Sequence, residues 1–433
     1  MLYQADCERD YFLDGWNPLF IFGGHMMILR DYQQDLAEKG IAILKELGIL
    51  YLAMEVRTGK TATALTIAHL GGYKKVLFTT KKKAVKGILN DFEQLGYPFD
   101  LTVTNNESLH KVVGQFDLVI SDEHHRMGGA FPKPSKVAKL FKERFSHLPM
   151  VFLSGTPTPE GYSQIYHQFW VSSRSPFSQY SNFYKWAKEF VKVYSVDYGY
   201  GSVNSYEKAI KSKIDPFVAP YFLYYSQKEA GFESVVEENV LICKMQKSTH
   251  ELIDKLKKDR VLQGKEEVIL ADTAVKLMTK VHQIASGTIK FESGNAKTLD
   301  ANKAVYIANY FEGQKIAIFY KFKQELECLK EVYGNRLCTD LETFNSTDKN
   351  IALQIVSGRE GISLSAAKYL VYYNIDFSAL SYWQSRDRLT TMNRPSNQVF
   401  WVFSDAGIEQ DIYKTVLKKK DFTTHDFRRS LSA

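Results

Sequence analysis

Cysteine is scarce in this chain: four in 433 residues, at Cys7, Cys243, Cys328 and Cys338. None forms a CxxC pair and no histidine pair sits at finger spacing near them, which argues against a zinc site and for four separate thiols. Long apolar runs are also missing. No stretch approaches the roughly 18 residues a bilayer span needs, so no membrane partner is expected. The first residues, MLYQADCERDYFLDGW, carry acids where a secretory signal needs a basic start and an apolar stretch, and a cytoplasmic protein is the expectation. No repeat with a period of 20–50 residues is visible. Charge of either sign is not in large excess: 56 Lys and Arg against 49 Asp and Glu give +7, a mild basic balance compatible with a polyanionic partner. With 45% apolar and 24% charged residues, a disordered or collagen-like chain is excluded, and the length allows two or three domains.

What is present is alternation. Short apolar runs at Ile49 to Met54, Val76 to Thr80, Leu118 to Ser121 and Met150 to Ser154 read as buried parallel strands. Amphipathic stretches such as Gln33 to Leu47 and Ala62 to Leu70 lie between them as crossover helices. A second alternating block has strand candidates at Lys315 to Tyr320, Ile351 to Val356, Tyr369 to Asn374 and Val399 to Phe403. The part between differs: residues 162–225 hold 11 of the 26 tyrosines, and 246–285 have helical apolar spacing. The expected division is an N-terminal extension (1–27), a first α/β domain (28–165), a mostly helical insertion (166–295), a second α/β domain (296–422) and a tail (423–433).

The chemistry concentrates in the first block. Thr58-Gly59-Lys60-Thr61 follows an apolar strand and opens a helix. In that setting backbone N–H groups and the helix dipole bind phosphate, Lys60 meets the β and γ phosphates, and Thr61 ligates Mg²⁺. Alone, the triplet also fits a surface turn, and Met54 stands where the first glycine of GxxxxGK[ST] belongs. A second signal favours the phosphate loop. The strand ending at Ser121 runs into Asp122-Glu123-His124-His125, which places carboxylates at the C-terminal end of a parallel strand. Asp122 is the candidate for holding Mg²⁺, and Glu123 for orienting and deprotonating the attacking water. Third, Ser154-Gly155-Thr156-Pro157-Thr158-Pro159 forms a turn at the mouth of the same sheet, placed to sense the γ-phosphate.

These three elements, in this order, resemble the first motor domain of superfamily-two helicases and translocases. The DEHH box, the SGTPTP turn and the long gap before the second block look most like the chromatin-remodeller-like (Snf-type) branch, with compact phage-type DNA helicases as the nearest match. The resemblance spans about residues 28–400 and implies two tandem RecA-like P-loop NTPase domains with ATP between them, in host cytoplasm if phage-encoded. It implies that Gln33, in Arg30-Asp31-Tyr32-Gln33, reads adenine, with Arg30 beside it. It places backbone-gripping motifs at Thr79-Thr80-Lys81 and Thr104 to Leu109, which makes Thr80, Lys81, Lys82, Asn105 and Ser108 nucleic-acid candidates. In the second block Lys321, Ser357 and Gly361 occupy positions that touch nucleic acid or nucleotide. Tyr382 to Arg388 resembles the arginine-finger motif. The family carries two arginines three residues apart, but the second position here is Thr391, so the expectation is that Arg388 acts with Arg394 as partial substitute.

The expected activity is an ATP- and Mg²⁺-dependent DNA translocase or helicase on duplex or branched DNA. An RNA helicase remains open, although the box reads DEHH and not DEAD. So does a weakly hydrolysing, nucleotide-gated DNA-binding module, given Thr391. The lysines at 81–83, with Lys86, read as phosphate contacts, and Lys418 to Lys420 as a solvated face. The tyrosine-rich segment reads as helix packing in preference to base stacking.

Overall fold

The computed structural model describes residues 3–4, 27–159, 161–197, 202–231, 235–264, 266–358, 362–389 and 396–418. The chain divides into two units, Met1–Gly231 and Phe232–Ala433. Both expected α/β units are present.

The first unit is built on a seven-stranded sheet in the order Tyr3–Gln4, Asp100–Asn105, Lys75–Thr80, Leu118–Ser121, Met150–Leu153, Ile49–Met54 and Phe222–Tyr225. All neighbours are parallel except Tyr3–Gln4, which pairs antiparallel at one edge. The central strands are apolar on both faces because both faces are covered. Leu77, Val119, Tyr51 and Phe152 point to one core; Phe78, Ile120, Leu52 and Leu153 point to the other. Helix Lys60–Leu70 is buried almost all round, from Ala62 to Ala68, so its sequence is apolar without a stripe.

The second unit carries a fully parallel six-stranded sheet: Val235–Cys243, Ser396–Ser404, Tyr369–Tyr372, Ile316–Tyr320, Asn350–Gln354 and Leu337–Cys338. It too has a core on each face.

The segment 166–295 departs from the expected helical insertion. Strand Phe222–Tyr225 pairs with Ile49–Met54 in the first sheet, and Val235–Cys243 pairs along its whole length with Ser396–Ser404 in the second. Both are edge strands; Val235–Cys243 carries Glu237 and Glu238, which break the apolar run of a central strand, and Phe222–Tyr225 is only four residues long within the tyrosine-rich segment. Helices Lys247–Asp259 and Ala274–Ala285 match the helical expectation, with the hairpin Val261–Gln263 and Val268–Leu270 between them. The aromatic segment does pack: Tyr166, Phe169 and Phe177 are buried together with Trp186 of helix Phe183–Phe190.

One of the unforeseen acids organises the second unit. The Glu238 carboxylate accepts from Tyr382 Oη at 2.7 Å, Trp401 Nε1 at 2.9 Å, Tyr413 Oη at 3.0 Å and Arg386 NH1 at 2.9 Å. These donors come from helix Ala379–Arg386, strand Ser396–Ser404 and helix Ile408–Val416, so one carboxylate ties three elements to the edge strand. Glu238→Ala removes the acceptor of four part-buried donors, one of them cationic. It is expected to cost about 3 kcal/mol, read as a lowered denaturant midpoint of the second unit. An unchanged midpoint would show that water replaces the carboxylate without loss.

Candidate functional site

In the first unit, parallel strands Ile49–Met54, Lys75–Thr80, Leu118–Ser121 and Met150–Leu153 bring their C-terminal ends to one edge of the sheet. The loops leaving that edge hold the expected nucleotide residues. Between Met54 and Lys60 the chain turns through two left-handed positions, Arg57 at φ 64° and Gly59 at φ 82°. Gly59 caps helix Lys60–Leu70, and a side chain there would also meet Gln33, whose Nε2 lies 2.0 Å from the position a Cβ would take. The absent first glycine at Met54 is explained: Met54 is the last residue of the strand, and the turn begins after it.

Lys60 Nζ donates to Met54 O at 2.9 Å and Glu55 O at 3.0 Å, which holds the ammonium over the loop. It also lies 3.7 Å from the position of a Cβ on Gly155, so the SGTPTP turn packs directly on the phosphate loop. Thr61 is the next residue of the helix and is half-buried. Thr58 is fully buried and its Oγ1 donates to Glu55 O at 2.8 Å, a loop-fixing role.

Gln33 is drawn into the same loop. Its Oε1 accepts from Arg30 N–H at 2.9 Å and its Nε2 donates to Gly59 O at 3.2 Å. Each end retains one hydrogen-bonding position for a ligand. The Arg30 guanidinium donates to Tyr32 Oη, which donates in turn to Thr58 O at 3.1 Å.

Asp122 accepts from Thr80 Oγ1 at 2.7 Å. Burial and the neighbouring charge of Glu123 push its carboxyl up to about 6, partly offset by the Thr80 hydroxyl and by Lys60. Glu123 sits at φ 50°, a left-handed conformation that costs on the order of 1 kcal/mol or more for a residue with a Cβ. Among the described residues, three non-glycine positions have positive φ, and two of them, Arg57 and Glu123, border this site. Glu123 Oε2 lies 3.3 Å from His125 Nδ1, which hydrogen-bonds Ser154 Oγ at 2.9 Å. Ser154 Oγ accepts from Thr156 N–H at 3.1 Å. The acidic box and the turn are thereby one network. His124 is different: it is buried, stacked at 3.5 Å on Phe152, and bonded to Ser121 Oγ and Gln168 O. Burial drives its pKa down to about 3, so it is a neutral core residue.

Two buried hydroxyl oxygens near these groups, Thr79 Oγ1 and Thr156 Oγ1, have no protein hydrogen-bond partner. Among the described residues no three His, Cys, Asp or Glu side chains converge as a metal cage. Mg²⁺ bound with phosphates needs only one or two protein oxygens, and hard oxygens at Thr61 and Asp122 fit that requirement.

Several other expected contacts are placed differently. Thr80, expected on nucleic acid, is fully buried and spends its hydroxyl on Asp122. Lys321, also expected there, is largely buried, paired with Asp376 at 2.8 Å and seated 3.6 Å over the Phe377 ring; burial lowers its pKa despite that pairing. Asn105 Oδ1 accepts from Ser108 N–H at 2.8 Å, which closes a turn and leaves both half-buried. Lys82 is exposed and Lys81 half-buried at the start of the turn Lys82–Ala84. Ser357 is exposed, its hydroxyl donating to Gln354 O at 3.1 Å. Arg388 is buried, its guanidinium donating to Gln384 O at 2.9 Å and Ile362 O at 3.3 Å. Gly361, Thr391, Arg394, Lys419 and Lys420 lie outside the described residues.

Sequence reasoning missed the segment after Phe222–Tyr225. Gln227 N–H donates to Glu55 Oε2 at 2.7 Å and Gln227 Nε2 to Val56 O at 2.9 Å, while Glu55 N–H donates to Tyr225 O at 2.9 Å. Tyr225 stacks on Tyr32 at 4.5 Å. The phosphate loop is thus clasped from both sides by residues distant in sequence. No local motif announces Gln227, because its role depends on strand pairing across about 170 residues.

No family model matches the chain, and no curated protein matches it. Among solved structures, it is similar to the Sulfolobus solfataricus SWI2/SNF2 ATPase core in complex with dsDNA, at 13% identity over 91% of this chain and 92% of that one, with a TM-score of 0.41. It is also similar to the Sulfolobus solfataricus SWI2/SNF2 ATPase core domain, at 14% identity over 91% and 89%, with a TM-score of 0.38.

Proposed function

We propose that the protein is a DNA-directed ATPase that converts ATP hydrolysis into movement along duplex or branched DNA. The observation that carries this reading is the network at one sheet edge: Lys60 over a left-handed phosphate loop, Asp122 held by Thr80, and Glu123 joined through His125 to Ser154. Lys60 and the N-terminal N–H groups of helix Lys60–Leu70 bind and orient the triphosphate. Thr61 and Asp122 would hold Mg²⁺, which supplies charge neutralisation on the phosphates when bound. Glu123 accepts the proton of the attacking water as its oxygen bonds to the γ-phosphorus and ADP departs. Gln33 offers its remaining positions to the adenine edge. Arg388 and Arg394 are the proposed second-unit cations for the transferring group; Thr391 cannot serve, having no charge.

Helicase activity in the strict sense is a further step of this proposal, separate from DNA-stimulated hydrolysis. The test is phosphate release measured alone and with duplex, single-stranded and forked DNA, and with RNA. Stimulation of about tenfold or more by duplex or forked DNA is expected, the order of gain when a polymer contact completes a preorganised site. Equal or greater stimulation by RNA would replace DNA with RNA as the track. ATP-dependent DNA binding without turnover would reduce the protein to a nucleotide-gated binder.

A further inference from the structure

The first unit carries a two-stranded ribbon that belongs to neither large sheet. Tyr194–Asp197 pairs antiparallel with Ser202–Ser205, and a bridge between Val191 and Ala209 extends the pairing toward the body of the unit. Both faces of the ribbon meet solvent: Val193 is 42% exposed and Val203 59%, and Ser195 and Asn204 are also exposed. A two-stranded ribbon gains little stability by itself, so a solvated one is retained by its foot. That foot is firm. Ser163 Oγ donates to Tyr206 O at 2.5 Å, Tyr162 Oη bonds Asp215, and Tyr206 packs against Phe183 and Tyr184. Tyr162 and Ser163 follow the SGTPTP turn by a few residues, so the ribbon is fastened next to the nucleotide network.

Charge gathers around it. Residues 185–213 hold six lysines against three acids, and all six lysines are exposed. Just before the strand, Lys192 N–H donates to Lys208 O at 2.9 Å, which sets the two lysines across from each other at the base of the ribbon. Lys208 Nζ stands 4.2 Å from the centre of the Tyr194 ring, so the lysines gather on the Tyr194 face. The opposite face is small and polar, with Ser195 Oγ donating to Asn204 Oδ1 at 2.9 Å.

We propose that this ribbon is a duplex-binding arm, with Lys192 and Lys208 contacting backbone phosphates. The reading rests on the function proposed above. A two-stranded ribbon has the cross-section that the major groove of a duplex admits, and on the Tyr194 face the small Val203, opposite Val196, permits close approach. Paired lysines on one face supply the sequence-independent attraction a moving protein needs. Stacking on unpaired bases is disfavoured because the one large ring of the described stem already lies beneath Lys208.

The test is equilibrium binding of a fluorescent duplex to the full chain and to a Lys192→Ala, Lys208→Ala double variant across a salt series, with the same measurement on a single strand. Two lost phosphate contacts are expected to weaken duplex binding by about tenfold or more at low salt and to reduce the slope of log affinity against log salt by about 2. Nucleotide affinity without DNA should match the parent, which shows that the variant is folded. Unchanged duplex affinity and slope in the variant, with a parent that binds, overturns the arm alone. Loss confined to the single strand also overturns it, in favour of a single-strand contact. A parent that binds no nucleic acid overturns the arm together with the proposed function.

Discussion

Replacing Lys60 with alanine is expected to lower ATP turnover by at least about 10²–10³-fold, the order of loss when one preorganised charge stabiliser is removed from a reacting centre. The Lys60 ammonium donates to two loop carbonyls, Met54 O and Glu55 O, at a half-exposed position, and water can replace it there. The fold of the first unit should survive, with an unchanged melting midpoint, so that the lost activity is chemical. Phosphate release at saturating ATP and DNA measures the effect. Near-parental hydrolysis would remove the phosphate-loop assignment, and with it the role of the helix N-terminus behind it.

Glu123→Gln is the complementary experiment. Glutamine matches the carboxylate in size and can sit beside His125, but it cannot take a proton from water. Nucleotide binding should persist while hydrolysis falls by about 10²–10⁴-fold, the usual contribution of a positioned general base. Equilibrium binding of a fluorescent ATP analogue and single-turnover hydrolysis separate the two effects. Lost binding with retained fold would recast Glu123 as a support for the left-handed turn at φ 50° and not as the base.

Central strands were the most legible part of this fold. Leu118–Ser121 and Ile49–Met54 coincide with the apolar runs that announce them, because a strand covered on both faces has no room for polar residues. The edge strands were not legible for the converse reason. Val235–Cys243 includes Glu237 and Glu238, and the acid at 238 is used to anchor Tyr382, Trp401, Tyr413 and Arg386, a role written only in three dimensions. At the candidate site, the GKT and DEHH residues stand out in the sequence because the phosphate chemistry proposed for them restricts both residue type and spacing. The links between loops do not: the contact of His125 with Ser154, and those of Gln227 with Glu55 and Val56, join segments far apart in sequence. Thr80 and Lys321 each stand where a polymer contact was expected, and each is occupied with a carboxylate of its own unit.

The clasp of Gln227 on Glu55 and Val56 has a mechanical consequence. The last ordered strand before the unit boundary, Phe222–Tyr225, is paired to the strand that feeds the phosphate loop, and the chain leaves the unit only after passing that clasp. A pull transmitted through the polypeptide from the second unit is therefore delivered first to the loop that carries Lys60 and not to the remote side of the domain. If the chain is the motor proposed above, a hindering load would then be felt as a slackened grip on its nucleotide, so that stalling and nucleotide release would be one event.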